Sequence, residues 1–249
     1  MKATGRVTLV GPRLAVVVAC LALSVRSVSA QDQKVDSTSG LWLSAGALVG
    51  GTFLDGNTSR TWASVGDPGP GLGGTLAAGL DVGRYGAALG LEAATLEVGD
   101  RRASSIALAA TLRWWPPRRH VSSWEPMIEL GYVRFGLGGT RVPPADVPTD
   151  LFRSGAPRQQ GPDDNLRLHG NGVRVGMTVE HRFVAGSLLM LGLGADVVHF
   201  GAATYQGIEQ SLSRPGWGIN PRTMLGVRMP LHLNLLTVDT GPSRSPEPL

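Results

Sequence analysis

The sequence predicts an all-β protein, an eight-stranded antiparallel up-and-down transmembrane β-barrel. Three observations predict it. Apolar residues recur at every second position, the segments with this pattern number eight, and the connections between them alternate between short and long. Composition agrees: 42% of the 249 residues are hydrophobic, only 17% are charged, and 35 are Gly. So little charge argues against a disordered chain, and Gly without a fixed triplet period argues against a collagen-like one.

The first thirty residues stand apart. Lys2, Arg6 and Arg13 precede an apolar run from Leu14 to Leu23, and Val28-Ser29-Ala30 offers a small-x-small cleavage site. Residues 1–30 therefore read as a secretory signal peptide, with an apolar run too short to span a bilayer. Val17-Val18-Ala19-Cys20 also has the look of a lipoprotein box, but the apolar run continues past Cys20. Removing residues 1–30 takes away four basic residues (Lys2, Arg6, Arg13 and Arg26) and no acidic ones, so the formal +4 falls to about zero. The high pI thus gives no support to nucleic-acid binding. The single Cys leaves too, and with it disulfide or thiol chemistry.

In chain order the segments are 40–53, 72–83, 87–98, 103–115, 124–138, 170–183, 187–200 and 217–231, after a short periplasmic segment at 31–39 and before a periplasmic tail at 232–249. In the second, Leu76, Leu80 and Val82 alternate with Thr75, Ala77 and Asp81. In the fourth, Ile106, Leu108, Leu112 and Trp114 alternate with Ala107, Ala109 and Arg113. In the sixth, Val173, Val175, Met177 and Val179 alternate with Arg174, Gly176, Thr178 and Glu180. In the seventh, Leu189, Leu191, Leu193 and Val197 alternate with Met190, Gly192, Gly194 and Asp196. Most segments exceed the about 9–11 residues that a tilted strand needs to cross hydrocarbon. The connections 84–86, 116–123 and 184–186 are short and read as periplasmic turns. Those at 54–71, 139–169 and 201–216 are long and read as outer loops, with 99–102 the short member of that set.

A soluble lipocalin-like barrel also alternates, with its apolar face inward. Here the second face is rich in Gly and Ala and poor in charge, a poor water-facing surface but a good lining for a narrow lumen. The apolar face then meets lipid, with every backbone group paired around the closed sheet. Strict alternation from Ile128, Leu130 and Tyr132 points Arg134 at lipid, which predicts a bulge near Val133 or a position at the outer rim.

The signal peptide, the eight amphipathic segments and the Gly-rich inner positions resemble the small bacterial outer-membrane β-barrels of the OmpA, OmpX and opacity-protein type. The resemblance covers 40–231 and rests on pattern. It implies outer-membrane lipid as the surroundings, the barrel-assembly machinery as a partner and the cell outer membrane as the location; a surface partner is not named by it. The chain departs from the pattern in two ways. It runs past Met229-Pro230-Leu231 into a tail, instead of ending on an aromatic residue, and aromatics are only 6%. Trp114, Trp115, Trp124 and Tyr132 are candidates for the interfacial girdles.

Nine charged residues fall on the inner face: Asp81, Glu92, Arg113, Glu129, Arg174, Glu180, Asp196, Arg222 and Arg228. Five acids against four bases can pair almost completely, which reads as a structural network filling the lumen, the rival being a gate or ion path. Glu129 and Glu180 lie at similar depth to Arg113 and Arg228, so these two arginines are expected to be shared among several carboxylates.

Catalytic pairs are scarce. His120-Val-Ser122 lies in a periplasmic turn beside Arg118 and Arg119, and His181 and His199 fall on the lipid face with no Ser in register. Gly71-Leu-Gly-Gly74 and Gly136-Leu-Gly-Gly139 precede no helix, so they do not make phosphate loops. No metal cluster and no cofactor motif is apparent. The outer loop 139–169, rich in Pro and carrying Asp163-Asp164, is the candidate binding loop.

The sequence therefore favours a non-enzymatic barrel whose loops serve adhesion, interaction or envelope integrity. A lipid-modifying outer-membrane enzyme and a narrow channel are the alternatives. Leu191→Arg, on the lipid face, should cost about 2–4 kcal/mol near the midplane. Insertion into vesicles should fall far more for Leu191→Arg than for Gly192→Ala, and equal tolerance would reverse the two faces.

Overall fold

The computed structural model describes residues 40–56, 58, 69–98, 101–117, 124–141, 147, 150–155, 165–182 and 187–231. The segments 1–30, 31–39 and 232–249, His120 and Ser122, and Asp163-Asp164 lie outside them. Nine strands form one antiparallel sheet: β1 (Gly40–Gly50), β2 (Phe53–Leu54), β3 (Gly71–Val82), β4 (Tyr85–Val98), β5 (Arg101–Trp114), β6 (Trp124–Arg141), β7 (Asn165–Arg182), β8 (Leu188–Tyr205) and β9 (Ile208–Leu231). The eight long strands pair in chain order, and β1 pairs with β9 from Leu41↔Leu231 to Gly50↔Arg222, which closes the ring. Closure leaves no edge strand and no unpaired ladder to face lipid.

Strand ends differ from the sequence expectation by a few residues, β6 running on to Arg141 and β7 starting at Asn165 within the expected 139–169 loop, and two further differences have identifiable reasons. The segment expected as one strand at 40–53 breaks after Gly50, where Gly51 N–H still donates to Pro221 O at 3.2 Å; β2 then resumes against Ile219 and Gly218. The expected outer loop at 201–216 is instead a hairpin, because Gln206 and Gly207 both take positive φ (52° and 78°). Two such residues make the tight turn that matches strand twist, so β8 and β9 stay paired to Tyr205↔Ile208.

Up to a certain height the faces are those the alternation predicts. Leu76, Leu108, Leu130, Val175, Leu193 and Leu225 are exposed on the outside, while Thr75, Arg113, Glu129, Arg174 and Asp196 are buried within. Above that height the polarity inverts. On β6 the outward row changes from Ile128, Leu130 and Tyr132 to Arg134, and the inward row changes from Glu129 to Val133, Phe135 and Leu137. On β7 the outward row becomes Asn171 and Arg167 while Leu168 and Leu166 turn inward; on β8 Val198, Phe200 and Tyr205 follow the inward Asp196. The outer third is thus built like a water-soluble barrel, apolar inside and polar outside, because water has replaced hydrocarbon around it. The interior expected from sequence, small residues and charge throughout, holds only for the lower part.

The apolar core of this outer third contains Leu96, Phe135, Leu137, Leu168, Phe200 and Tyr205. Its cover comes from the connection between β6 and β7. Phe152 bridges to Leu212, Arg153 N–H donates to Ser211 O at 3.2 Å, and Ser213 N–H donates to Leu151 O at 2.9 Å. Val147, Leu151 and Phe152 are buried against the core. In its described part, then, the connection expected as a binding loop lies along β9 and caps the mouth.

The girdle assignments are corrected in one place. Trp114, Trp124 and Tyr132 are outward, but Trp115, the next residue along from Trp114, is buried inside, since consecutive residues of an extended chain point to opposite faces. His181 stacks on Trp124 at 4.7 Å, and His199 meets Trp217 edge-on at 4.9 Å, so each rim carries a Trp–His pair. Around Arg134 there is no bulge: pairing runs without a shift through Val133 to Gly138, and the irregularities fall at Gly138/Thr140, His169/Gly170 and Phe200/Ala202. Arg134 therefore faces outward at the height where the polarity changes.

Phe200 is fully buried in the outer core. Phe200→Ala should cost about 3–5 kcal/mol, read as a lower unfolding midpoint by heat-dependent gel mobility. Ile219→Ala, on the exposed face, should change that midpoint little.

Candidate functional site

The inner charges sit where lumen meets strand wall, and glycine decides how they reach one another. Glu129, Gly176, Gly194 and Arg222 occupy one row across β6, β7, β8 and β9. A Cβ on Gly176 would stand 3.5 Å from Arg222 Nη2 and 3.6 Å from Glu129 Oε2. The two glycines thus leave a groove along which the Arg222 guanidinium lies, and across it Nη2 reaches Glu129 Oε2 at 3.3 Å. A Cβ at Gly176 would already touch both groups, and one at Gly194 would stand 2.8 Å from Val175 O, so a larger side chain intrudes on that path. Elsewhere the same device recurs, with the Trp42 ring packed over Gly79 and the Asp81 carboxylate over Gly86.

Seen from the outer end downward, the network starts at Arg174. Its Nε and Nη2 donate to Asp196 at 2.7 and 2.8 Å, and its Nη1 and Nη2 donate to Glu92 at 2.6 and 2.8 Å. Arg222 Nη1 donates to the same Glu92 at 2.8 Å. Glu129, already joined to Arg222, pairs with Arg113 Nη2 at 3.0 Å. These six residues, three of each sign, form one continuous chain. At the periplasmic end Arg228 Nη1 donates to Glu180 at 2.8 and 3.1 Å, and Arg228 also pairs with Asp81. Eight of the nine residues are buried, and the Arg222 side chain is only 10% exposed.

All nine residues singled out in the sequence are therefore in ion pairs, but the pairing differs from the expected sharing. Arg113 belongs to Glu129, and Arg228 belongs to Glu180 and Asp81. Both arginines also pack on Trp42, with the guanidinium carbons of Arg113 and Arg228 at 4.1 and 4.8 Å from the ring centroid. An indole face attracts a cation held over it. Trp115 supports the lower group, its Nε1–H donating to Glu180 Oε2 at 3.4 Å, with Arg228 5.7 Å from its ring. Sequence reasoning missed both indoles. Trp42 is inward by parity with Ser44 and Leu48, a signal that was available in the alternation of β1.

Two small cavities flank the network. One of about 30 Å³ lies above it, among Glu92, Asp196, Asn220, Arg222, Leu96 and Phe135; one of about 10 Å³ lies at the periplasmic mouth beside Asp81, Glu180 and Arg228. Each has room for roughly a water or two, not for an organic substrate. Asn220 has both amide atoms unbonded to protein in the upper cavity, so water is its natural partner. Among the described residues no group of three His, Cys, Asp or Glu is placed to hold a metal ion. His181 and His199 face outward beside their Trp partners, with no nucleophile between them.

No family model matches the chain, and no curated protein is similar to it in sequence. Solved structures are similar in architecture. Neisserial surface protein A is 12% identical, with 78% of this chain and 99% of that one covered at a TM-score of 0.49. The outer membrane protein OprG from Pseudomonas aeruginosa is 9% identical, covering 78% and 97% at 0.46. A major outer membrane protein from Thermus thermophilus is 14% identical, covering 75% and 99% at 0.37. At these values the similarity is one of architecture alone. The closed ring and the apolar outer belt decide the class: the chain is a membrane-spanning β-barrel.

Two outcomes are expected for the network. In a double-mutant cycle, Arg113→Gln and Glu129→Gln should couple more strongly than Arg113→Gln and Glu180→Gln, because only the first two form a direct ion pair and breaking one buried pair costs about 3–5 kcal/mol only once. Gly176→Val should lower the unfolding midpoint in detergent by closing the groove between Arg222 and Glu129, while Met177→Val, on the lipid face, should not.

Proposed function

We propose that this protein is a closed, non-enzymatic outer-membrane barrel whose lumen is plugged by charged side chains and whose outward parts serve adhesion, interaction or envelope integrity. The observation that carries the reading is the stacking of two seals in one lumen. The lower seal is the ion-pair network, in which four guanidiniums are bound by five carboxylates from both sides of the barrel. The upper seal is the apolar core, closed from outside by Leu151 and Phe152. An ion passing through would have to break charge pairs and then enter a dry layer, each a large barrier on its own. The alternative of a lipid-modifying enzyme lacks support among the described residues, where no Ser–His pair faces the lipid. Insertion of the barrel is assigned to the barrel-assembly machinery, with outer-membrane lipid as its surroundings.

The test is conductance of the refolded barrel in planar lipid bilayers. The expected result is no unitary current, both for the native chain and for Glu180→Gln, which loosens the lower seal and leaves the upper one intact. Discrete current steps would replace this reading with that of a narrow channel. Release of fatty acid from radiolabelled lipid A would replace it with that of an enzyme.

A further inference from the structure

We infer that the outer rim of β6 and β7 is a seat for the phosphate of an outer-leaflet lipid headgroup. The site is fixed in height. Arg134 lies ten residues above Trp124 on β6, and at about 3.3 Å per residue and a tilt of about 40° this is roughly 25 Å, the height of the apolar band. The bare sheet at that level is not neutral. Pairing sets Arg134 against Asn171, Gly136 against His169 and Gly138 against Arg167. Because Gly136 and Gly138 bring no side chains, the surface consists of Arg134, Asn171, His169 and Arg167, with Tyr132 directly below. Arg134, Asn171 and Arg167 are exposed.

Polar neighbours hold this surface in shape. Tyr132 O–H donates to Asn171 Oδ1 at 2.6 Å, which leaves the Asn171 amide N–H₂ as the donor of that side chain, and His169 Nε2 is 2.8 Å from Thr204 Oγ1. The decisive contrast is in pairing. The interior arginines Arg113, Arg174, Arg222 and Arg228 all have carboxylates, and at the same rim Arg102 faces Glu97 in register. Among the described residues no ion pair engages Arg134 or Arg167. The acid on this side, Glu209, stands two strands from Arg167 in the same row. Two guanidiniums that have no carboxylate among the described residues, at headgroup depth with the Asn171 amide beside them, are complementary to a phosphate anchored there by its acyl chains. The flanking Tyr132, Val173 and Val197 are exposed and apolar, so they offer those chains a wall.

The experiment uses the full barrel refolded in detergent and native mass spectrometry to count retained lipid. The probes are bisphosphorylated lipid A and its dephosphorylated form, with inorganic phosphate as competitor. The native barrel should retain the phosphorylated lipid and release the dephosphorylated one. Arg134→Gln with Arg167→Gln should weaken retention about tenfold, while Arg84→Gln, which removes one guanidinium at the periplasmic turn as Arg167→Gln does at the rim, should leave it unchanged. Arg167→Gln alone, above the hydrocarbon and outside the core, gives a variant whose folding is safe; it should weaken retention about threefold. Heat-dependent gel mobility identifies any variant that fails to fold. Equal retention by the folded double variant would overturn the site. Displacement of the lipid by millimolar inorganic phosphate would overturn the lipid assignment in favour of a soluble phosphate site. Conductance or its absence has no bearing on either result, so this site and the closed-lumen reading fail separately.

Discussion

Arg174 is the tie on which the lower barrel depends. It projects from β7 and is held by Asp196 on β8 and by Glu92 on β4, on the far wall, with Glu92 in turn holding Arg222 from β9. A sheet of eight strands around so narrow a space has no room for bulk water, so a charge placed inside must find its counter-charge in protein. Backbone hydrogen bonds join each strand only to its neighbours. Most of the ion pairs, Arg174–Glu92, Arg222–Glu129 and Arg228–Glu180 among them, join strands that are not neighbours, and so they fix the cross-section as well as the circumference.

The inversion of polarity along the strands follows from a single rule applied to two surroundings. Where hydrocarbon lies outside, apolar side chains cost nothing there, and the interior is left for groups that satisfy one another. Where water lies outside, the apolar side chains are better placed within. Both arrangements occur on the same strands, with β6 changing between Tyr132 and Arg134 and β8 between Asp196 and Val198. The height of the bilayer is thereby written into the protein twice, once on each face. The Trp–His pairs at Trp124 and Trp217 lie near the ends of the belt so defined.

The strand count, the alternation and the nine inner charges were legible in the sequence because each depends on period 2, which is local. The pairing of those charges was not. Arg113 pairs with Glu129 while packing on the Trp42 ring that arrives from β1, and no spacing along β5 or β6 reports that contact. The hairpin at Gln206-Gly207 was obscured because its strands continue above the membrane, where the outward row loses its apolar marking. The capping role of Phe152 was hidden for a similar reason: it rests on one bridge to Leu212, sixty residues further along. Trp115 was legible and misassigned, since its inward direction follows from the outward one of Trp114.

The placement of arginines by strand has a consequence for the order of assembly. Two of the four, Arg222 and Arg228, belong to β9, the strand that also makes the seam with β1. Until β9 docks, the interior holds Asp81, Glu92, Glu129, Glu180 and Asp196 against Arg113 and Arg174 only. Such a half-open sheet carries an excess of three negative charges, with Asp81 and Glu180 left without a guanidinium, and these hold water in the nascent lumen. Drying of the interior, neutralisation of its charge and joining of the two ends of the sheet are then a single event, which the docking of β9 brings about.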